Sequence, residues 1–263
     1  MTDKFAIEVS GLNAFYDERQ ILFDINFSVQ QGEILVIMGG SGSGKSTLLN
    51  NLLGLLTPKQ GSISIDGVDV INASDKDIKS LRQKMGVAFQ GGALLSSLSV
   101  EDNIKLPLQR NTNLDAATIS VMTQLKLELM NLAGFGKHMP SELSGGMLKR
   151  AGLARAVIMD PKILFFDEPS AGLDPIMSVE LDELLLSLRE AMGMSMIIVT
   201  HELESAFKIA DKVLVLFEGK IAAYGAVDDI KNSTDERIQN LIHRRPRKDD
   251  IDGDEYLKRL TNG

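Results

Sequence analysis

The sequence predicts an α/β fold with a parallel-sheet core, an antiparallel β layer at the N-terminal side, and a helical subdomain between core strands. Three observations lead to this prediction. Four short runs are continuously apolar. The N-terminal part has short apolar segments broken by turns, with regular alternation at residues 61–67, and a glycine-rich loop joins an apolar run to a helical pattern. Continuously apolar runs are typical of buried parallel strands, and alternation is typical of half-exposed strands. A glycine-rich loop between a strand and a helix is typical of a phosphate-binding unit.

The N-terminal part of the chain is predicted to be β-rich. Apolar segments at residues 7–9 and 21–29 are separated by glycine and polar turn residues. Residues 61–67 alternate regularly and end in Asp66-Gly67, a pair that favours a tight turn. Half-buried strands joined by turns form antiparallel sheets, so these segments account for the antiparallel layer.

The four continuously apolar runs are predicted to be strands of the parallel sheet, because helices cover such strands on both faces. They lie at residues 34–38, 163–166, 196–199 and 213–217. Helical patterns lie between them. The clearest is at residues 181–192, where Leu184, Leu185 and Leu188 share one face. Helices on both faces of a sheet give a three-layer core.

The middle of the chain is predicted to be a helical subdomain. Residues 91–139 contain no buried-strand pattern, and residues 116–132 have helical character. We therefore predict one domain over residues 1–226, with the helical subdomain at about 91–158. Residues 227–263 become highly charged and are predicted to form a C-terminal extension.

Composition restricts the possible functions. The net charge of −8 and the pI of about 5.0 argue against a nucleic-acid partner, which normally meets a basic face. Cysteine is absent, which excludes disulfides, thiolate metal sites and a cysteine nucleophile. No apolar run has the length of a signal peptide or a membrane span. We therefore expect a soluble, cytosolic chain that meets a membrane through a partner or through a surface of its own.

Residues 39–46 match the phosphate-binding pattern G-x-x-x-x-G-K-[ST]. A buried run precedes the pattern and a helical pattern follows at residues 47–56, a context in which a flexible linker would not lie. Glycines let backbone N–H groups wrap phosphates, and the helix adds its positive end. We expect Lys45 to reach the β and γ phosphates of ATP, and the Ser46 hydroxyl to bind Mg²⁺. Nucleotide contacts are predicted at Gly39, Gly40, Ser41, Gly42, Ser43, Gly44, Lys45, Ser46 and Thr47.

Polar residues that follow two other buried runs complete the predicted ATP site. Asp167 is placed to hold Mg²⁺, and Glu168 is placed to polarise the attacking water as general base. Acids at a strand end are often turn formers, but the phosphate loop favours the catalytic interpretation. His201 follows the run at residues 196–199, where ligands gather in α/β sheets, and could donate a hydrogen bond to the γ-phosphate.

Further motifs narrow this P-loop NTPase to one family. The Leu-Ser-Gly-Gly-Met stretch at residues 143–147 is similar to the LSGGQ signature of ABC ATPases, and residues 170–174 resemble the D-loop. Gln90 is similar to the Q-loop glutamine, and His201 falls at the switch histidine. Tyr16 lies where the family has an aromatic that stacks on adenine, although neighbouring Phe15 could do the same. The resemblance covers nearly the whole chain and implies an ABC-type nucleotide-binding domain.

The resemblance implies a head-to-tail dimer of two copies, with two ATP molecules held between the cradle of one copy and the signature of the other. Ser144, Gly145 and Gly146 precede a helical stretch at residues 148–159, and their small size lets N–H groups approach a phosphate. Asp174 would lie at the interface. Gln90 would contact Mg²⁺ and couple the nucleotide state to a membrane partner.

Met147 departs from the usual signature glutamine and indicates a subgroup. ATPases of the Mla type, which serve Mce-linked phospholipid transporters, are similar here and at residues 89–94 and 139–142. This resemblance implies an ATPase on the cytoplasmic face of the bacterial inner membrane. The implied partners are a membrane permease, an Mce-domain protein and a small regulatory subunit.

Other functions remain open at this stage. An importer ATPase for a polar solute would share every catalytic residue. A translation or DNA-repair ABC ATPase would have two cassettes or long coiled coils. A small-molecule kinase or GTPase would not need the signature at residues 143–147, and the Asn-Lys-x-Asp motif of GTPases does not occur. Glu168 disfavours an ATP-binding regulator without hydrolysis.

The C-terminal extension has three possible roles. It could be a solvated end, a contact to anionic lipid, or a clasp on the partner subunit. We favour the clasp, because acidic residues 249–255 follow the basic stretch at 243–248 and would weaken lipid attraction. Truncation after Ala226 is then expected to lower dimer stability.

Overall fold

A computed structural model describes residues 5–245, and the N-terminal layer is a four-stranded antiparallel sheet. Its spatial order is β2-β1-β4-β5. The strands are β1 (Phe5–Tyr16), β2 (Arg19–Gln30), β4 (Gln60–Ile65) and β5 (Val68–Asp69). Burial alternates along much of β1 and β2, because one face of this sheet packs on the core.

The core is a six-stranded sheet in the order β10-β9-β3-β8-β7-β6. Its strands are β3 (Ile34–Gly39), β6 (Met85–Ala88), β7 (Ile163–Asp167), β8 (Ser195–Val199), β9 (Lys212–Phe217) and β10 (Lys220–Ala226). All neighbours are parallel except β10, which is antiparallel to β9. The predicted parallel core is confirmed, and β6 and β10 extend it at its two edges.

Nine α-helices and one short 3-10 helix (Pro140–Glu142) are present among residues 5–245, several of them between the core strands. The α-helices are α1 (Lys45–Leu52), α2 (Asp75–Gln83), α3 (Val100–Asn111), α4 (Ala116–Leu129), α5 (Gly145–Ala156), α6 (Pro175–Met192), α7 (Leu203–Ile209), α8 (Val227–Lys231) and α9 (Glu236–Ile242). Within the described range, none of them is long and apolar enough to cross a bilayer.

The core sheet is covered on both faces. Every residue of β3 is buried. Ile34, Val36 and Met38 join one hydrophobic cluster, while Leu35 and Ile37 join the other, because successive side chains of a strand point to opposite faces. This two-sided burial explains the continuous apolar runs and holds the strand ends in fixed positions.

The segment between β6 and β7 is helical, and its inner face belongs to the main core. Ile104 of α3, Leu127 of α4 and Leu153 of α5 are all buried in the same cluster. The outer face of α4 is different. Val121, Leu125 and Leu129 are 60%, 60% and 44% exposed, and their four-residue spacing places them along one side of the helix. We call these three residues the α4 stripe.

Helices α8 and α9 pack against the main core. Ile230 and Ile238 are 3% and 1% exposed within the same cluster as the core strands. Truncation after Ala226 would therefore remove two buried side chains as well as any clasp. Most of the basic and acidic stretch at residues 243–255 lies outside the described residues, and the domain boundary at residue 226 stays a prediction.

Candidate functional site

Four parallel strands bring the predicted ATP-site residues to one edge of the core sheet. In the strand register, Ile37 of β3 lies beside Val199 of β8, and Val199 lies beside Asp167 of β7. Ala88 of β6 lies beside Phe166. The carboxyl ends of parallel strands meet at the same edge, so the loops that follow these strands share one crevice.

The phosphate loop is built so that only glycine fits at two of its positions. Gly39 has φ of +152°, and a Cβ atom there would lie 2.4 Å from the Leu216 carbonyl oxygen. Gly44 has φ of +105°, and its Cβ would lie 2.7 Å from Leu22 Cδ2. The left-handed backbone and the close packing keep side chains out of the loop, which leaves the cradle lined by backbone.

The polar groups of the cradle fit a triphosphate. Lys45 Nζ donates to the carbonyl oxygens of Gly39 and Gly40 at 2.7 and 3.0 Å, so its cation lies along the loop. The first turn of α1 has no side-chain cap and no acid, which leaves its N–H groups for an anion. Buried Ser43 Oγ has no hydrogen-bond partner among the described residues. Burial lowers the pKa of Lys45, although Glu168 and Asp167 oppose this shift.

Asp167, the last residue of β7, has the donor chemistry of a magnesium ligand. Burial raises its pKa above the ordinary value, and the neighbouring Glu168 raises it further, whereas Lys45 acts in the opposite direction. Carboxylate and hydroxyl oxygens are the ligands that Mg²⁺ prefers, so Asp167 together with Ser46 fits this ion.

Mg²⁺-dependent ATP binding is expected to weaken on mild acidification, because a raised pKa lets a proton occupy Asp167 above the pH at which an ordinary aspartate titrates. Affinity would be measured by isothermal titration from about pH 7 to about pH 5. ATP itself titrates in this range, so Asp167→Asn supplies the dependence of the nucleotide alone. Equal pH dependence in wild type and variant would contradict the prediction.

Glu168 and His201 meet above the strand ends. Glu168 has φ of +51°, a region that residues with side chains seldom adopt, and its N–H donates to the Val199 carbonyl at 2.8 Å. Glu168 Oε2 lies 2.8 Å from His201 Nδ1, but it accepts no well-directed hydrogen bond among the described residues. A carboxylate close to the cradle with a free acceptor position can take a proton from water.

A row of ionisable side chains extends from His201 to the C-terminal helices. His201 Nε2 lies 3.4 Å from Glu202 Oε1, and Glu202 Oε2 lies 3.6 Å from Arg244 just after α9. A cleft of about 890 Å³ separates α9 from the loop residues Gly39 and Gly40. Glu202 was not predicted, since a single charged residue carries no pattern, and Arg244 was predicted only as part of the basic stretch at residues 243–248.

The signature segment forms the exposed start of α5. Ser144 is its N-cap residue, and the Ser144 hydroxyl accepts from Met147 N at 3.3 Å. A Cβ atom on Gly146 would lie 1.9 Å from Met177 Cε of α6, so that glycine permits close packing. Asp174 is exposed and caps α6 by accepting from Met177 N at 3.0 Å. Within residues 5–245, no hydrogen bond or ion pair joins residues 144–147 to the cradle.

The remaining predicted residues lie at strand ends. Gln90 is exposed two residues after β6, at the same sheet edge as Asp167. Tyr16 ends β1 and is 46% exposed, which leaves its ring available. The face of the Phe15 ring is already covered by Lys59, whose Nζ lies 4.5 Å from the ring centroid. The geometry therefore favours Tyr16 over Phe15 for stacking on adenine.

One buried side chain near the site was not predicted. Lys149 of α5 donates to the carbonyl oxygens of Glu168, Pro169 and Ala171 at 3.2, 2.7 and 2.5 Å. Burial lowers its pKa, with Glu168 opposing the shift. A lysine in a helix that also carries Arg150 is usually solvated, so no sequence pattern indicates its burial.

Residues 22–171 match the ABC transporter family. The chain is 38% identical over 240 residues to the probable ribonucleotide transport ATP-binding protein mkl of Mycobacterium leprae (strain TN), covering 91% of this chain and 69% of that protein. It is 39% identical over 236 residues to MlaF of Haemophilus influenzae (strain KW20 / Rd), covering 90% and 89%. That relative is the ATP-binding protein of an intermembrane phospholipid transport system.

Solved structures share the fold. The ATP-binding cassette MJ0796, in a dimeric post-hydrolysis state with ADP and Pi, superposes with a TM-score of 0.77 and is 28% identical, covering 84% of this chain and 98% of that one. CbiO1 of Clostridium perfringens, part of the transporter complex cbiONQ, gives a TM-score of 0.80 and 30% identity, covering 92% and 96%.

Proposed function

Because this chain belongs to the ABC transporter family and is an ATPase of that family, we propose that it powers phospholipid transport across the bacterial envelope through a membrane permease. The observation that carries the proposal is the similarity to MlaF over nine-tenths of both chains, together with a sheet edge that unites a phosphate cradle with Asp167, Glu168 and His201. The resemblance to Mla-type ATPases proposed from Met147 is confirmed by these relatives.

Each residue at the sheet edge takes a defined role in ATP hydrolysis. Lys45 and the loop backbone bind the phosphates, and Ser46, Asp167 and Gln90 hold Mg²⁺, which neutralises phosphate charge when bound. Glu168 accepts the proton of the attacking water. His201, 2.8 Å from Glu168, orients that carboxylate and donates to the γ-phosphate. Tyr16 stacks on the adenine.

The active form is a head-to-tail dimer of two copies of the chain. Ser144 and Gly145 are exposed at the start of α5, and Asp174 is exposed at the start of α6, so both helix ends are free to meet another subunit. The solved MJ0796 cassettes are dimeric, which supports a dimer of this chain. The signature of each copy closes over the ATP in the cradle of the other.

Transport requires partners that contact the membrane. The ATPase then lies at the cytoplasmic face of the inner membrane under a permease, with an Mce-domain protein in the same assembly. The α4 stripe supports a further, small regulatory subunit, because an exposed row of large apolar side chains is the signature of a protein-binding surface.

A polar-solute importer is the second candidate, since mkl carries a ribonucleotide transport name. The substrate contacts the permease, so the catalytic residues of this chain do not separate the two candidates.

Tagged chain captured from detergent-solubilised membranes is expected to bring a multi-span permease, an Mce-domain protein and phospholipid, identified by mass spectrometry. Val121→Asp together with Leu125→Asp is the matched variant. It is expected to lose one small soluble protein while keeping the permease and ATP hydrolysis, because charges on the α4 stripe disrupt an apolar contact. A permease that arrives with a solute-binding protein and no Mce partner would select the importer.

A further inference from the structure

Lys149 is a buried cation with an unusual set of partners. The residue is 6% exposed, and within residues 5–245 it has no ion pair. Its ammonium group has three donors, and they meet the carbonyl oxygens of Glu168, Pro169 and Ala171. Lysines are almost never buried without such compensation, so the three bonds fix the ammonium in one position.

The turn that Lys149 holds carries the catalytic carboxylate. Glu168 has φ of +51°, and such a conformation persists only where the surroundings over-determine it. The Glu168 N–H is held by the Val199 carbonyl, and the Glu168 C=O is held by Lys149. These two bonds fix the peptide groups on both sides of Glu168 Cα, and thereby the direction of its side chain toward His201.

The signature lies at the N-terminal end of the same helix, one turn before Lys149. Ser144 caps α5, and Lys149 lies in the second turn of that helix. A short helix packed through Gly146 against Met177 moves as a rigid body, because close-packed elements shift as units and do not deform continuously. A displacement of Ser144 therefore moves the ammonium of Lys149, and with it the turn at residue 168.

We propose that Lys149 is a positioning residue that couples the two ATP sites of the dimer. The signature of one copy contacts the ATP in the cradle of its partner, whereas Glu168 of that copy serves its own ATP. Lys149 connects the signature to Glu168 of the same copy through α5. When the signature closes over the partner's ATP, Glu168 is therefore aligned with the ATP in its own cradle. This inference depends on the head-to-tail dimer in the proposed function.

Lys149→Met is expected to keep ATP affinity, lower kcat by about tenfold or more, and lower the Hill coefficient for ATP to about 1. The methionine fills the same space but cannot donate to the three carbonyls. Glu168 then loses its fixed direction, which lowers kcat, and it loses its connection to the signature, which removes cooperativity. Steady-state hydrolysis against ATP concentration gives kcat, KM and the Hill coefficient.

Arg150→Met is the matched control. Arg150 is the adjacent buried cation of α5, but it donates to Glu180 of α6 at 2.8 Å and not to the 168–171 turn. This variant is expected to lose thermal stability while its Hill coefficient stays at the wild-type value. Lys149→Arg keeps the charge and the hydrogen-bond donors but changes their geometry, so its Hill coefficient is expected to lie between 1 and the wild-type value. It takes the place of Lys149→Met if that variant fails to fold.

The outcomes separate the two proposals. A cooperative wild type with a Lys149→Met variant that is equally cooperative overturns the coupling role, as does a loss of kcat without a loss of cooperativity. A Hill coefficient of about 1 in the wild type, with no ATP-dependent dimer in sedimentation, contradicts the dimer itself.

Discussion

Glu168→Gln is expected to reduce ATP hydrolysis by about two to four orders of magnitude while ATP binding is retained, because the loss of a general base has effects of this size. Glutamine has nearly the same shape as glutamate but takes no proton from the attacking water. The cradle keeps its hydrogen bonds, since Lys45 donates to the Gly39 and Gly40 carbonyls and not to residue 168. The unhydrolysed nucleotide then keeps the dimer closed.

Phosphate release measures the hydrolysis rate, and sedimentation with and without ATP measures the closed dimer. Glu204→Gln is the matched control. Glu204 is an exposed acid in the first turn of α7, close in sequence to His201, and its loss is expected to leave the rate unchanged. Hydrolysis by Glu168→Gln at the wild-type rate would show that another group activates the water.

Ser144→Arg is expected to reduce hydrolysis by about a hundredfold or more without loss of ATP binding, because in the proposed dimer the signature donors stabilise phosphate charge from the partner subunit. The arginine side chain occupies the space at the start of α5 that the partner's nucleotide needs. The cradle of the same chain is untouched, so the affinity for ATP in the open state is expected to persist.

The control for Ser144→Arg is Ser74→Arg. Ser74 is also an exposed N-cap, and its hydroxyl accepts from Asp77 N at 3.3 Å, the same distance as for Ser144 and Met147. Both variants lose a helix cap, which costs about 1 kcal/mol. Only Ser144→Arg is expected to lose activity, so the stability cost of the cap is separated from the role of the signature.

Mixing the two inactive variants tests the head-to-tail arrangement directly. In a mixed dimer, one site combines the intact Glu168 of the Ser144→Arg subunit with the intact Ser144 of the Glu168→Gln subunit. In an equimolar mixture with free exchange of subunits, half of the dimers are mixed and each has one intact site of two, so about a quarter of all sites are intact. Recovered hydrolysis supports the shared site, whereas a mixture as inactive as its components would indicate sites made within one chain.

The buried strands could be predicted because burial on both faces requires nearly every residue of such a strand to be apolar. β3, β7, β8 and β9 are covered on both faces and are therefore continuously apolar. β6 and β10 gave no such signal. β6 alternates in burial, and no residue of β10 is fully buried, because each lies at an edge of the sheet where helices cover it less.

The positions of the site residues could be predicted, but their contacts could not. Backbone needs select the glycines of the cradle, and strand ends place Asp167, Glu168 and His201, so short patterns carry these residues. Lys149 acts on carbonyl groups that lie 19 to 22 positions along the chain. A side chain that donates hydrogen bonds to the backbone of a distant segment produces no local sequence pattern, so its role becomes visible only in the folded structure.

In the proposed assembly, the α4 stripe makes the solubility of this chain depend on the supply of the small subunit that would cover it. Copies made in excess would expose Val121, Leu125 and Leu129 to each other, and apolar rows of this kind promote self-association. Cells would therefore have to match the synthesis of the two proteins, with unassembled copies passing to chaperones or proteases. Purification of the chain alone would meet the same difficulty, and co-expression of the bound protein would relieve it.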